Sequence, residues 1–179
     1  MQDRTQRERI WREAVLAGDS LAWEVGYQQA YAPLAKYIHW RCAGLNDLRE
    51  EVLQETWLTA VKSIRKFDPL AGSFIDWLCG IAGNLIRNHL KKRQRRGITQ
   101  SLNSDVPSRN GQPDLEKSER IALALSGLPE RYEKVLRAKY VEQLTVQSIS
   151  ETWGESPKTI ESLLSRAREA FREAYGSEE

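Results

Sequence analysis

Cysteine and histidine are scarce in this chain, two of each among 179 residues. Cys42 and Cys79 form no CxxC pair, so a disulfide framework is excluded and a reducing compartment is expected. With only His39 and His89 on offer, no nucleophile–base set can be assembled. A phosphate-binding glycine loop and a metal-ligand cluster are missing too, so no enzyme is expected and no catalytic residue, cofactor or metal is assigned. His39 and Cys42 make at most half of a metal site and are read as core residues. No stretch nears the roughly 20 apolar residues of a membrane span. The opening "MQDRTQRERIWRE" is too charged for a secretory signal, so a soluble cytoplasmic protein is expected. One sign of charge is not in excess either: 27 Lys and Arg face 25 Asp and Glu, a net +2. Any attraction to nucleic acid must therefore come from local clustering. Strand-like alternation is absent, as is any repeat of solenoid length.

What the chain does have is helical spacing, and the expected fold is all-α. From Ser20 to Cys42, Trp23, Tyr27, Tyr31, Leu34 and Ile38 recur by threes and fours, which predicts a core stripe. Pro33 falls inside that stretch and is expected to kink or break it. A second helix, from about Asn46 to Lys66, carries the seam Leu53, Trp57, Ala60, Ile64 and Phe67. Its other face shows Glu51, Gln54, Glu55 and Leu58. After "FDPLAGS", Ser73 can cap a third helix with Asp76 closing a capping box, and Phe74, Leu78, Ile81 and Leu85 form its buried face.

That helix ends in "NLIRNHLKKRQRRG", with six basic side chains and no acidic one. A basic helix end also suits the helix dipole and is often only a solvated terminus. Here, however, Trp77, Asn84 and Asn88 lie upstream on the face left open by the apolar seam. Cations that hold a backbone, with a ring and amides further back, suit single-stranded DNA. Beyond it, "GITQSLNSDVPSRNGQPDLE" is poor in aromatics and predicts a flexible linker over 97–116.

The last segment has the spacing of a helix-turn-helix. Val146–Trp153 makes a short helix with Ile149 and Trp153 inward and a small Ser150. Gly154 can take the positive φ of the turn, Ser156 can cap the next helix, and Pro157 suits its first position. Ile160, Leu163 or Leu164, and Ala167 pack back. The spacing also fits an ordinary helical hairpin. If it binds DNA, Lys158, Arg166 and Arg168 meet phosphates while Thr159 and Ser162 reach base edges.

Taken together, these pieces resemble a known family. "EEVLQETWLTAVKSIRKFDPLAGSFIDWLCGIAGNLIRNHLKKRQRR" is similar to region 2 of extracytoplasmic-function (ECF) sigma factors, promoter-specificity subunits of bacterial RNA polymerase. "LSGLPERYEKVLRAKYVEQLTVQSISETWGESPKTIESLLSRARE" is similar to their region 4. The resemblance implies two small helical domains, a region 2 domain over 1–96 and a region 4 domain over 117–179. It implies promoter-directed initiation, with core polymerase, promoter DNA and an anti-sigma factor as partners. By the same resemblance Glu51, Gln54, Glu55 and Leu58 dock on the clamp helices of the largest polymerase subunit. Leu70, Ala71, Gly72 and Ser73 receive a base flipped from the −10 element. Trp77, Asn84, Arg87, Asn88, Lys91, Lys92, Arg93, Arg95 and Arg96 hold the melted strand. Lys158, Thr159, Ser162, Arg166 and Arg168 face the −35 element. The chain departs from the family at Glu161 and Leu163, which leaves the −35 sequence open, and at Asn88, where an aspartate is usual; Thr145 with Ser148 is expected to cap less firmly than the usual Ser–Glu box. Little follows Arg168, so no appended sensory domain is expected. A stand-alone helix-turn-helix regulator is the competing reading, but it does not explain the basic helix.

Overall fold

A computed structural model describes the backbone of residues 2–103 and 113–176, and the side chains of 3–96 and 114–176. Among the described residues all regular structure is helical: α1 (Gln2–Leu16), α2 (Ser20–Cys42), α3 (Asn46–Ser63) with a 3-10 turn (Ile64–Lys66), α4 (Phe74–Asn103), α5 (Pro113–Gly127), α6 (Glu130–Tyr140), α7 (Val146–Trp153) and α8 (Pro157–Gly176). The chain divides into two units, Met1–His39 with Asn46–His89, and Trp40–Leu45 with Leu90–Glu179.

In the first unit Asp19 starts α2, its Oδ1 accepting from the backbone N–H of Leu21 at 2.9 Å and of Ala22 at 3.2 Å. The buried face of α2 then runs Gly26, Ala30, Leu34, Tyr37 and Ile38. This register corrects the expected stripe, because Tyr27 and Tyr31 are 44% and 41% exposed. The cause is Trp11 of α1, which occupies the space against α2. Its indole N–H donates to the Ala22 carbonyl at 2.6 Å, and its ring lies where a Cβ on Gly26 would sit, 2.5 Å from Cζ2. Only glycine permits that approach. The same ring meets Phe74 at 4.4 Å and Phe67 at 6.3 Å between centroids, and Trp23 edge-on at 6.2 Å.

Helix α2 continues through Pro33, which sits on its exposed side. There the missing N–H costs one helical bond without blocking any packing. The seam of α3 is also shifted, to Leu48, Val52, Thr56 and Ala60, with Leu53 and Trp57 half-buried. The buried Thr56 hydroxyl is satisfied by donating to the Val52 carbonyl at 2.7 Å. On α4, Phe74, Leu78, Ala82 and Ile86 are buried, while Ile81 and Leu85 are half-buried. Cys42 is core, as expected, whereas His39 is exposed, its Nδ1 lying 3.4 Å from Arg49 Nη1. Three positions apart, the two residues divide between surface and interior.

In the second unit α5, α6 and α7 each pack on α8. Leu125, Leu128, Val135, Leu136, Ile149, Ile160, Leu163, Leu164 and Ala167 form one cluster, with Trp40 and Trp153 packed against it. Both leucines are therefore inside. Residues 40–45 and 90–96, expected in the first body, belong here because they carry contacts to it. Arg41, fully buried, reaches Glu133 at 3.5 Å, and Arg93 reaches Glu119 at 3.3 Å. Of the expected linker, residues up to Asn103 extend α4 and Pro113 onward begins α5, while 104–112 lie outside the described residues.

The Trp11–Gly26 contact is testable. Gly26→Ala drives a methyl into a ring wedged between aromatics, an overpacking cost of about 1–3 kcal/mol. That exceeds the about 0.5–1 kcal/mol that alanine returns to a helix interior. Gly80→Ala, with nothing within 4 Å of its Cβ, should instead stabilise. Urea unfolding of the two variants should show shifts of opposite sign.

Candidate nucleic-acid interface

The loop that leads into α4 is held from both sides. Asp68 Oδ1 accepts from the Leu70 N–H at 2.9 Å, and the Asp68 carbonyl accepts from the Ala71 N–H at 3.1 Å. These two bonds fold 68–71 into a tight turn with Leu70 at its tip, 84% exposed. Ser73 is buried. Its hydroxyl accepts from the Asp76 N–H at 3.1 Å and donates to Asp76 Oδ2 at 2.5 Å. The helix start is thus capped as the sequence predicts, with the Asp76 carboxylate accepting from the Ser73 hydroxyl. A second acceptor comes from α1: Glu8 Oε1 takes the Phe74 N–H at 2.9 Å. Glu8 and Asp68 organise this loop, and sequence reasoning missed both. Asp68 carried a local signal in its position before Pro69, whereas Glu8 acts across 66 residues and carried none.

Trp77, expected to offer its ring, is half-buried and packs on Phe67 at 5.5 Å and Phe74 at 5.9 Å. Farther along the same side of α4, Asn84 and Asn88 are exposed, and Asn84 Oδ1 accepts from Arg87 Nη2. Lys91, Lys92, Arg95 and Arg96 are exposed. Arg93 is half-buried on Glu119. Lys91, Lys92 and Arg96 have no acidic partner among the described residues. The positions 77, 84, 88, 91 and 95 repeat at seven, four, three and four, one helical stripe.

The face of α3 expected to meet a partner is partly tied to α4. His89 Nε2 lies 3.0 Å from Glu55 Oε2, and its Nδ1 lies 3.5 Å from Glu51 Oε2. One ligand atom from each of the three lies within 4.8 Å of the others, the spacing of a cation site. The ring nitrogens, however, aim at different carboxylates. A metal takes one of them, so the arrangement reads as a strut between α3 and α4. Gln54 and Leu58 remain exposed, Leu58 at 52%. Beside Leu58 is an apolar depression of about 310 Å³ lined by Trp23, Tyr27, Trp57 and Val61. Tyr27 and Trp57 meet there at 4.7 Å.

In the second unit the turn follows its predicted chemistry. Thr145 Oγ1 accepts from the Ser148 N–H at 3.0 Å and caps α7, and Ser156 Oγ accepts from the Thr159 N–H at 3.2 Å and caps α8. Thr145 and Ser148 hydroxyls also meet at 2.9 Å, a contact that stands where the glutamate of a capping box would reach back. Gly154 is left-handed, φ 67°, and Ser150 donates to the Glu155 carbonyl across the turn. Lys158, Thr159, Glu161, Ser162 and Arg166 all lie on the exposed side of α8. Arg168 does not join them: it is half-buried, its Nε donating to the Tyr140 hydroxyl at 2.8 Å.

Comparison with known proteins places both halves. The sigma-70 region 2 family matches residues 28–96 and the sigma-70 region 4 family residues 118–171. The chain is 32% identical over 148 residues to RNA polymerase sigma factor HrpL of Pseudomonas syringae pv. syringae, covering 75% of this chain and 77% of that protein. It is 28% identical over 137 residues to ECF RNA polymerase sigma factor SigW of Bacillus subtilis (strain 168), covering 69% and 73%. Among solved structures it is similar to CnrH in complex with the cytosolic domain of CnrY, with TM-score 0.49 and 20% identity over 96% of this chain and 98% of that one. A second is RpoE in complex with the anti-sigma factor NepR from Bartonella quintana, with TM-score 0.48 and 20% identity over 85% and 95%.

Gly154→Ala places a Cβ in open space but in a left-handed backbone, so its cost is conformational, about 1–2 kcal/mol. Gly154→Asn should lose less, because asparagine tolerates that region. Thermal unfolding should rank wild type, Asn, then Ala.

Proposed function

Because this chain belongs to the extracytoplasmic-function sigma factors of RNA polymerase, we propose a division of labour among its residues in promoter-specific transcription initiation. Helix α4 holds the opened −10 strand through Lys91, Lys92, Arg95 and Arg96, with Asn84, Arg87 and Asn88 behind them. Leu70, Ala71 and Gly72 receive the flipped base, and Ser73 fixes the loop as a cap. The observation that carries this reading is the run of exposed cations on the one helix whose start is capped by both Ser73 and Glu8. Flipping costs a few kcal/mol, so a loop already folded before DNA arrives lowers the barrier. Trp77 backs the loop from within the aromatic cluster. Helix α8 enters the −35 major groove, Lys158 and Arg166 on phosphates and Thr159 and Ser162 toward base edges. Arg168 braces Tyr140. The protein acts as a non-catalytic subunit in the cytoplasm.

Polymerase docks on α3 through Gln54 and Leu58, with Glu51 and Glu55 held in place by His89. The depression beside Leu58 supports this, since apolar surface that is exposed and contiguous marks a protein contact. The clamp helices of the largest subunit are the partner the family resemblance implies, and a separate anti-sigma factor is the regulator it implies.

Two measurements check this division. Changing Lys91, Lys92 and Arg96 to Ala should reduce the slope of log K against log salt for promoter binding by about 2, near 0.7 for each lost single-strand contact. An unchanged slope removes α4 from the DNA. Leu58→Arg, on a side chain already half in water, should leave the fold intact and abolish co-purification with core polymerase. Transcription-start mapping with core enzyme and the wild-type chain tests the whole, since a chain that joins core without directing starts is not acting as read here.

A further inference from the structure

One basic surface lies apart from both α4 and α8. Between α1 and the stretch Arg65–Leu70 runs a cleft of about 900 Å³ with Arg9, Arg12, Arg65 and Lys66 on its walls. Only Glu13 and Asp68 oppose them among its lining residues. Glu13 faces Arg9 at 3.5 Å with both side chains well exposed, a pair that solvent screens almost completely. Asp68 is already engaged with the Leu70 N–H. Arg65 and Lys66 are exposed and have no acidic partner among the described residues. Arg12 donates from Nη2 to the Arg65 carbonyl at 2.8 Å, which fixes its guanidinium in the wall. Its Nε is buried without an acceptor. A guanidinium fixed among three other cations, two of them without an acidic partner among the described residues, calls for an anion.

The chemistry of that anion follows from the walls. Guanidinium groups suit phosphate, which they meet through paired N–H donors. Four cations spread over two elements exceed what one phosphate uses, and the cleft is far too small for a duplex. Leu70, at the tip of the base-receiving loop, is one of its lining residues. A charged groove joined to an apolar tip is the form of a single-strand channel. We propose that this cleft carries consecutive phosphodiesters of the single DNA strand that leaves the loop at Leu70. It rests on the sigma-factor reading above and gives α1, which lies outside the matched family regions, a role in promoter opening.

The test uses holoenzyme assembled from core polymerase and the full chain carrying Arg65→Gln and Lys66→Gln. Both side chains are exposed, and the Arg65 carbonyl that Arg12 uses is unaffected. On a fork template with a single-stranded −10 element, the slope of log K against log salt should fall by about 1.4, two contacts at near 0.7 each. On a duplex carrying only the −35 element it should not change. Methylphosphonate linkages beside the flipped base should weaken wild-type binding and leave the variant's affinity nearly unaltered. A wild-type slope on the fork overturns the proposal, as does an equal fall on the −35 duplex, which would make the cleft a duplex contact. If instead wild-type holoenzyme fails to prefer the fork template, the sigma-factor reading of α4 fails first, so the two failures are distinct.

Discussion

The seating of the Trp11 indole against the bare backbone of Gly26 constrains the rest of the first unit. It brings α1 close enough for Glu8 to cap α4 and for Arg12 to bond the Arg65 carbonyl. It also supplies the aromatic floor, Phe67 and Phe74, on which Trp77 rests. A loop that must present a base-sized space cannot rely on its own few residues, since short loops keep their shape only when their ends are fixed. Here one end is fixed by Asp68 and the other by Ser73 and Glu8, and the whole is referred to one ring.

Near-neutrality of the chain conceals how its charges are sorted. Acidic groups are spent against cations on the same helix, as in Arg7–Asp3 at 3.1 Å and Lys134–Glu130 at 2.7 Å, or against a neighbouring turn, as in Arg137–Glu142 at 2.9 Å. On α4, Lys91, Lys92 and Arg96 have no acidic partner among the described residues. A polyanion therefore meets a local field that the net charge of +2 does not reveal.

How much of this was legible depended on the range of the interaction. The turn at Gly154 was readable to the residue, because small residue, glycine and cap act within a dozen positions and each has one conformational job. The start of α4 was readable for the same reason. The register of α2 was not. Tyrosine is both large and polar-tipped, so spacing alone placed Tyr27 and Tyr31 inside when Gly26 and Ala30 are the residues that face in. Small residues carry little hydrophobic signal, yet they mark where a ring from another helix comes close. Glu8 and the basic cleft could not be read at all, because they pair residues more than fifty positions apart.

Both thiols, Cys42 and Cys79, are buried and in no disulfide. A thiolate reacts only where reagent and water reach it. Alkylation of this chain therefore waits on transient opening of the interior, and its rate reports how often each helix lets go. Cys42 closes α2 and Cys79 lies in the first turns of α4, so the molecule carries two intrinsic clocks, one for each helix that leaves the first unit.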